Sequence, residues 1–191
     1  SLEYGKMRSP HKEKYFLKKN SNLKSVYAKS KLMSTKYCIE SFKKFSFPVT
    51  ILRPYLVYGP GQKTNRLIPH TISKSLKNKK FPCSAGTQTR NFLYVEDFVK
   101  AIFKTLISKN VDGEIINIGS DKNQKVKKVI LMIKYYLKSG KPTFGKIRLR
   151  KDESMSYYPD IKKAKNLINW KPLMKFEKGL VQTIKFYSRK S

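Results

Sequence analysis

The feature that most constrains this chain is a change of hydrophobic period that recurs along its length. Val49-Thr50-Ile51-Leu52 is a short β-branched run, and Glu114-Ile115-Ile116-Asn117-Ile118 is a second one, closed by Gly119-Ser120. Short apolar runs of this kind suit strands buried on both faces, as in a parallel sheet. Around them the apolar residues return at spacings of three and four, which marks amphipathic helix. Strands alternating with helices specify an α/β architecture with a parallel sheet.

The punctuation sets provisional boundaries. Residues 1–24 are polar and broken by Gly5, Pro10 and Asn20-Ser21-Asn22, so they read as loop. Ser25 is placed to cap a helix carrying Val26, Leu32, Met33, Tyr37, Cys38 and Phe42, which Phe47-Pro48 ends. Gly59-Pro60-Gly61 turns the chain after the first strand. Helices are predicted over Leu67–Leu76, Asp97–Ile107, Val126–Leu137, Ile161–Ile168 and Phe176–Phe186, with an extended piece at Asn91–Val95. Phe98, Ala101, Ile102 and Leu106 are expected on the inner face of the third helix.

Composition narrows the function classes. The chain has 191 residues, ample for a core, and 39% are hydrophobic, which argues against disorder. No stretch approaches the ~20 apolar residues of a membrane span, and the N-terminal region is too rich in lysine for a secretory signal. Cys38 and Cys83 are too few for a disulfide framework or a four-cysteine zinc site, so a reducing cytoplasm is the expected compartment. His11 and His70 have no further ligands at metal-site spacing, so no metal is expected. The formal charge of +31 would suit a nucleic-acid partner. Yet the excess is almost all lysine, scattered over every segment, whereas readers of nucleic acid favour clustered arginine. Nucleic acid is therefore disfavoured as a partner.

Chemistry is suggested by Tyr27-Ala28-Lys29-Ser30-Lys31 at the head of the first helix. Residues four apart share a helix face, and an ammonium beside a phenol favours the phenolate, which suits proton transfer. Tyr15/Lys19 and Tyr158/Lys162 have the same spacing, so context must select among the three pairs. About twenty residues after the Tyr27 pair comes Leu52-Arg53-Pro54-Tyr55-Leu56-Val57-Tyr58-Gly59-Pro60-Gly61. Arg90-Asn91-Phe92-Leu93-Tyr94-Val95-Glu96-Asp97, Asn117-Ile118-Gly119-Ser120, Pro159-Asp160-Ile161 and Asn169-Trp170-Lys171-Pro172 follow in order, and Glu3-Tyr4-Gly5 opens the set. In this order and spacing the chain resembles the extended short-chain dehydrogenase/reductase family, the sugar-nucleotide epimerases and dehydratases, from Ser1 to Phe186.

The resemblance implies a C-terminal part of a Rossmann-type sheet plus a small α/β substrate-binding domain. Residues 1–65 and 91–120 would belong to the NAD-binding part, and 66–90 and 121–191 mainly to the substrate-binding region. It also implies NAD or NADP as cofactor, a nucleoside-diphosphate sugar as substrate and a homodimer. Tyr27 inherits the role of general base toward a sugar hydroxyl, while Lys31 lowers the tyrosine pKa and bonds the nicotinamide ribose. Pro54 and Tyr55 would pack against the nicotinamide. Arg66 and Leu67 would meet the substrate's nucleotide, and Arg90 and Arg150 its phosphates.

Three departures qualify this. No glycines here have the G-x-x-G-x-x-G spacing that cradles the NAD pyrophosphate, so the chain is expected to lack roughly the family's first third and to bind NAD negligibly alone. The Ser/Thr of the catalytic triad falls one position before Ser1, or on Ser1 if one deletion is allowed. Leu56 stands where many relatives carry a substrate-contacting Asn. The acid/base pair of a dehydratase would align with Ser1 and Leu2, unless a gap restores Glu3, which favours an epimerase or 4-ketoreductase over a dehydratase. Two other readings stay open, a basic nucleic-acid-binding module and an inactive, truncated relative. Cys83 and Trp170 are read as structural, and for Arg53 a structural role, bracing the strand end, stands equal to a role in the site.

Overall fold

The computed structural model describes residues 2–5, 7–17, 23, 25–149 and 153–189. Two short 3-10 turns, Leu2–Tyr4 and Glu13–Leu17, occupy the stretch expected as loop. The elements that follow are α1 (Val26–Phe45), β1 (Ile51–Pro54), β2 (Leu56–Tyr58), α2 (Leu67–Leu76), β3 (Lys80–Pro82), β4 (Thr89–Tyr94) and α3 (Val95–Ile107). The chain continues through β5 (Ile115–Ile118), β6 (Asn123–Lys125), α4 (Val126–Leu137), β7 (Lys141–Thr143), β8 (Ser156–Tyr157), α5 (Lys162–Ile168) and α6 (Phe176–Ser188).

The α/β expectation holds. β1 runs parallel to β5, with Ile51 opposite Ile115 and Pro54 opposite Ile118. β2 is parallel to β4, β8 joins β4 in parallel, and β6 adds an antiparallel edge with Gln124 opposite Arg90. β3 and β7 form a third parallel pair. The first strand begins two residues later than its β-branched run suggests. Val49 and Thr50 are used instead to anchor the entry to β5: the Gly113 N–H donates to the Val49 carbonyl at 2.7 Å and Thr50 Oγ1 donates to the Val111 carbonyl at 2.9 Å. Gly113 has φ 74°, and a Cβ there would sit 2.3 Å from the Phe42 ring, so this turn is closed to side chains.

Alternation along β4 separates two apolar cores, since successive strand residues point to opposite faces. Phe92 and Tyr94 join Tyr58, Ile68, Ile72, Val129, Ile133, Phe176, Leu180 and Ile184. Leu93 joins Ala101, Val111, Ile116, Ile118, Ala164, Ile168 and Trp170. Trp170 is the packing anchor expected: it is buried, and its indole N–H donates to the Asp97 carbonyl at 3.0 Å. Asp97 Oδ2 in turn accepts the backbone N–H groups of Leu173 and Met174. Cys83 is buried beside Phe81, Val126 and Ile130, as a small apolar residue would be.

The inner face of α3 is borne out for Ala101, which is buried, and Phe98, which packs half-buried against the second core, but not for Ile102 and Leu106. On α3 the buried residues are Asp97, Ala101 and Thr105, while Ile102, Leu106, Val99, Phe103 and Ile107 are exposed. The Asp97 carboxylate and carbonyl fix the helix rotation by their bonds to residues 170–174, and Thr105 satisfies its hydroxyl on the Ala101 carbonyl. These local bonds outweigh the larger apolar side chains.

Candidate functional site

The N-cap, the strand end and a second helix start converge on one cavity. Ser25 caps α1 by accepting the Ala28 N–H at 3.4 Å, which sets Tyr27 and Lys31 on its first turns. Tyr27 is 58% exposed, so its hydroxyl is open to a ligand, and Lys31 Nζ lies 5.8 Å from the Tyr27 ring centroid. The sheet delivers Pro54 and Tyr55 at the C-terminal end of β1, where ligands of parallel α/β sheets bind. Arg66 precedes α2 in an extended conformation, and Leu67 opens the helix. Tyr27, Lys31, Pro54, Tyr55, Arg66 and Leu67 all line a cavity of about 890 Å³, together with Leu56, Gln62 and Asn65. Six residues singled out by sequence, from three distant stretches, thus share one wall. Arg90 does not line it; its guanidinium pairs with Glu153 and donates to the Thr89 carbonyl. Ser1 and Arg150 lie outside the described residues.

A buried polar network extends from the cavity lining, which Glu3 and Arg53 share, into the interior. Arg53, 1% exposed, forms an ion pair with Glu3 and donates from NH1 to the Tyr4 hydroxyl at 3.1 Å. The same Glu3 oxygen accepts the Thr35 hydroxyl at 2.8 Å, tying α1 to the network. Tyr4 donates to Asn117 Oδ1 at 2.7 Å, and Asn117 Nδ2 donates to the His11 carbonyl at 2.9 Å. Arg53 thus braces the strand end, one of the two readings its position left open, with Glu3 as its counter-charge.

His11 is the residue that reading by motif passed over. It is fully buried, stacked on Tyr4 at 4.7 Å and edge-on to Tyr157 at 4.6 Å. Its Nε2 lies 3.0 Å from the Met7 carbonyl, which can only accept, so Nε2 carries the proton. Nδ1 is then the acceptor for the Tyr55 hydroxyl at 2.8 Å. Burial lowers the His11 pKa and pushes the Tyr55 hydroxyl far above the ordinary tyrosine range. Both therefore stay neutral, and Tyr55 contributes a fixed wall to the cavity rather than a reactive hydroxyl. The sequence cue was Glu13, two residues after the histidine, whose carboxylate accepts the Asn117 N–H at 2.9 Å. Among the described residues no cluster of His, Cys, Asp and Glu could hold a metal ion, and no helix is long and apolar enough to cross a membrane.

Comparison with known proteins bears on the family and the fold. The sequence model of the NAD dependent epimerase/dehydratase family matches residues 1–119. A Bacillus subtilis protein named as an uncharacterized UDP-glucose epimerase is 32% identical over 165 residues, covering 86% of this chain and 52% of the relative. The human dTDP-D-glucose 4,6-dehydratase is 33% identical over 168 residues, covering 84% of this chain and 47% of that protein. The chain thus spans about half the length of the curated relatives it matches. Among solved structures, UDP-glucuronic acid 4-epimerase from Bacillus cereus, in complex with UDP-glucuronic acid and NAD, superposes with a TM-score of 0.90 at 28% identity. That alignment covers all of this chain and 60% of the epimerase. The dTDP-glucose 4,6-dehydratase of Bacillus anthracis, in complex with NAD, gives 0.84 at 27% identity over 97% of this chain and 58% of the dehydratase. With its Rossmann-type parallel sheet and its motifs in register, the chain belongs to the NAD-dependent epimerase/dehydratase family.

Proposed function

We propose that the protein acts in an NAD(P)-dependent epimerisation or 4-ketoreduction of a nucleoside-diphosphate hexose, with Tyr27 as the proton-transfer residue. The observation that carries this is the single cavity lined by Tyr27, Lys31, Pro54, Tyr55, Arg66 and Leu67. Its residues suit the nicotinamide end of the cofactor: an exposed phenol, an adjacent ammonium and a rigid wall held by His11. The glycine turn that would hold the pyrophosphate is not among the 191 residues.

When bound, the nicotinamide supplies the hydride acceptor and donor. Tyr27 Oη exchanges the proton at the sugar hydroxyl: it takes that proton as the carbonyl forms and returns it as the carbonyl is reduced. Lys31 holds the ribose and keeps a positive charge against the Tyr27 ring. Arg66 and Leu67 receive the nucleotide portion at the N-terminal end of α2, where the helix dipole adds partial positive charge. Elimination of water is disfavoured because the carboxylate that lines the cavity, Glu3, is held by Arg53 and Thr35.

The test is to incubate the whole protein with NAD and UDP-, dTDP-, GDP- and CDP-hexoses and to identify products by NMR. A 4-epimer, or a 4-hydroxy sugar formed from a 4-keto substrate and NADH or NADPH, is expected. A 4-keto-6-deoxy sugar would replace this reading with dehydration, and no conversion of any sugar would overturn it.

A further inference from the structure

The outward face of α4 carries a second site, remote in sequence from the catalytic residues. The helix turns its apolar side, Val126, Val129, Ile130 and Ile133, into the core. Its other side exposes Leu131, Tyr135 (78%) and Tyr136 (41%), and the two tyrosine rings lie 5.6 Å apart at 67°. Two adjoining cavities of about 570 Å³ each share these three side chains. Lys134 and Lys138 line one of them, and Lys125, Lys127 and Lys128 line the other. Among the described residues no carboxylate lines either cavity, and none pairs with any of the five lysines. From Lys122 to Lys151 the sequence holds eleven lysines and arginines and no acidic residue. The five lysines, all from residues 125–138, thus surround two exposed aromatic rings on one helix, at a cost in mutual repulsion.

We infer that this face binds single-stranded nucleic acid without sequence preference. Aromatic rings in a lysine-rimmed groove match a strand whose unpaired bases stack while its phosphates meet ammonium groups. The bases of a duplex are not free to stack on Tyr135 and Tyr136. Lysine without arginine gives point charges for phosphate and no bidentate reading of base edges, so the binding is sequence-tolerant. A membrane surface fits less well. An interfacial helix presents a broad apolar face to lipid, but α4 turns that face into the core and shows tyrosines ringed by lysine on its open side.

The inference is independent of the catalytic proposal and is tested on the 191-residue chain by fluorescence anisotropy. The probes are labelled mixed-sequence RNA and DNA strands of about 12 nucleotides, within the usual site sizes. Binding of single strands over duplex is expected, weakening as salt rises. Tyr135→Ala should weaken it by about tenfold to a hundredfold, and Tyr135→Phe should restore it. The pair Lys127→Gln/Lys128→Gln should reduce the slope of log K against log salt by about 1.4, since each phosphate no longer neutralised removes about 0.7. Lys43→Gln/Lys44→Gln on α1 removes the same charge elsewhere and should leave affinity nearly unchanged; circular dichroism confirms that each variant folds. Any one of four results overturns the inference: no binding, an equal loss in the α1 control, indifference to Tyr135→Ala, or binding to phosphatidylserine vesicles but not to oligonucleotides.

Discussion

Replacing Glu3 by leucine would leave the Arg53 guanidinium, 1% exposed, without its carboxylate. Breaking a buried ion pair by removing one partner costs about 3–5 kcal/mol, because the remaining charge stays desolvated. The Tyr4 hydroxyl still accepts from Arg53, which places the expected loss toward the lower end. The Thr35 hydroxyl also loses its acceptor, which adds about 1 kcal/mol or more. A chain of this size loses roughly 2–4 °C of Tm per kcal/mol, so thermal unfolding should fall by about 6–20 °C. Arg53→Met should cost a similar amount, leaving Glu3 as the uncompensated charge. The double variant should cost no more than either single one, a coupling of about 3 kcal/mol or more in a double-mutant cycle. If the two single losses simply add, or if Glu3→Leu costs less than about 1 kcal/mol, the network does not hold the cavity wall as argued.

His11 gives a pH prediction. The unfolded histidine takes a proton near pH 6.5 while the buried one resists it, so its contribution is complete above about 6.5 and is lost as pH falls through the lower folded value. His11→Phe should be less stable by about 1–3 kcal/mol at neutral pH, since the Tyr55 hydroxyl loses its acceptor, but should lose less Tm than the native chain between about pH 7.5 and 5. Parallel acid dependence in the two proteins would show that His11 is not held neutral by the fold. Arg90→Ala should weaken nucleotide-sugar binding by about 1.5–3 kcal/mol and leave NAD binding unchanged, whereas Glu153→Gln, which releases Arg90 from its ion pair, should retain or improve it. Calorimetry showing equal losses in both variants would make the pair purely structural. NADH titrated into the 191-residue chain, followed by its fluorescence, should show negligible binding; micromolar affinity would reveal a pyrophosphate site other than a glycine turn.

Much of the helical framework was legible because amphipathic spacing is local. The bounds of α2 and α4 coincide with the predicted ones, and Ser25 caps α1. The strands β2, β3, β6, β7 and β8 were not, since two or three residues carry no period and become strands only through their partners. On α3 Phe98 and Ala101 were placed correctly, but the exposure of Ile102 and Leu106 escaped, because polar bonds from Asp97 set the helix rotation. In the site, Tyr27, Lys31, Pro54, Tyr55, Arg66 and Leu67 were readable from motifs in register. Glu3 and Asn117 stood in those motifs, but their bonds to Arg53, Tyr4 and His11 were not readable, and His11 was legible only as a candidate metal ligand, because a polar residue shows its buried partners only once the fold surrounds it.

The central claim is that Tyr27 moves the proton, and Tyr27→Phe in the whole protein tests it most directly. The ring and its packing against Lys31 are kept and only the hydroxyl is removed. Turnover of the nucleotide sugar and calorimetric binding of the same sugar should be measured side by side. The account predicts loss of turnover, with binding retained to within about tenfold, because the hydroxyl acts in the reaction rather than in holding the substrate. Turnover at the unmodified rate would contradict it.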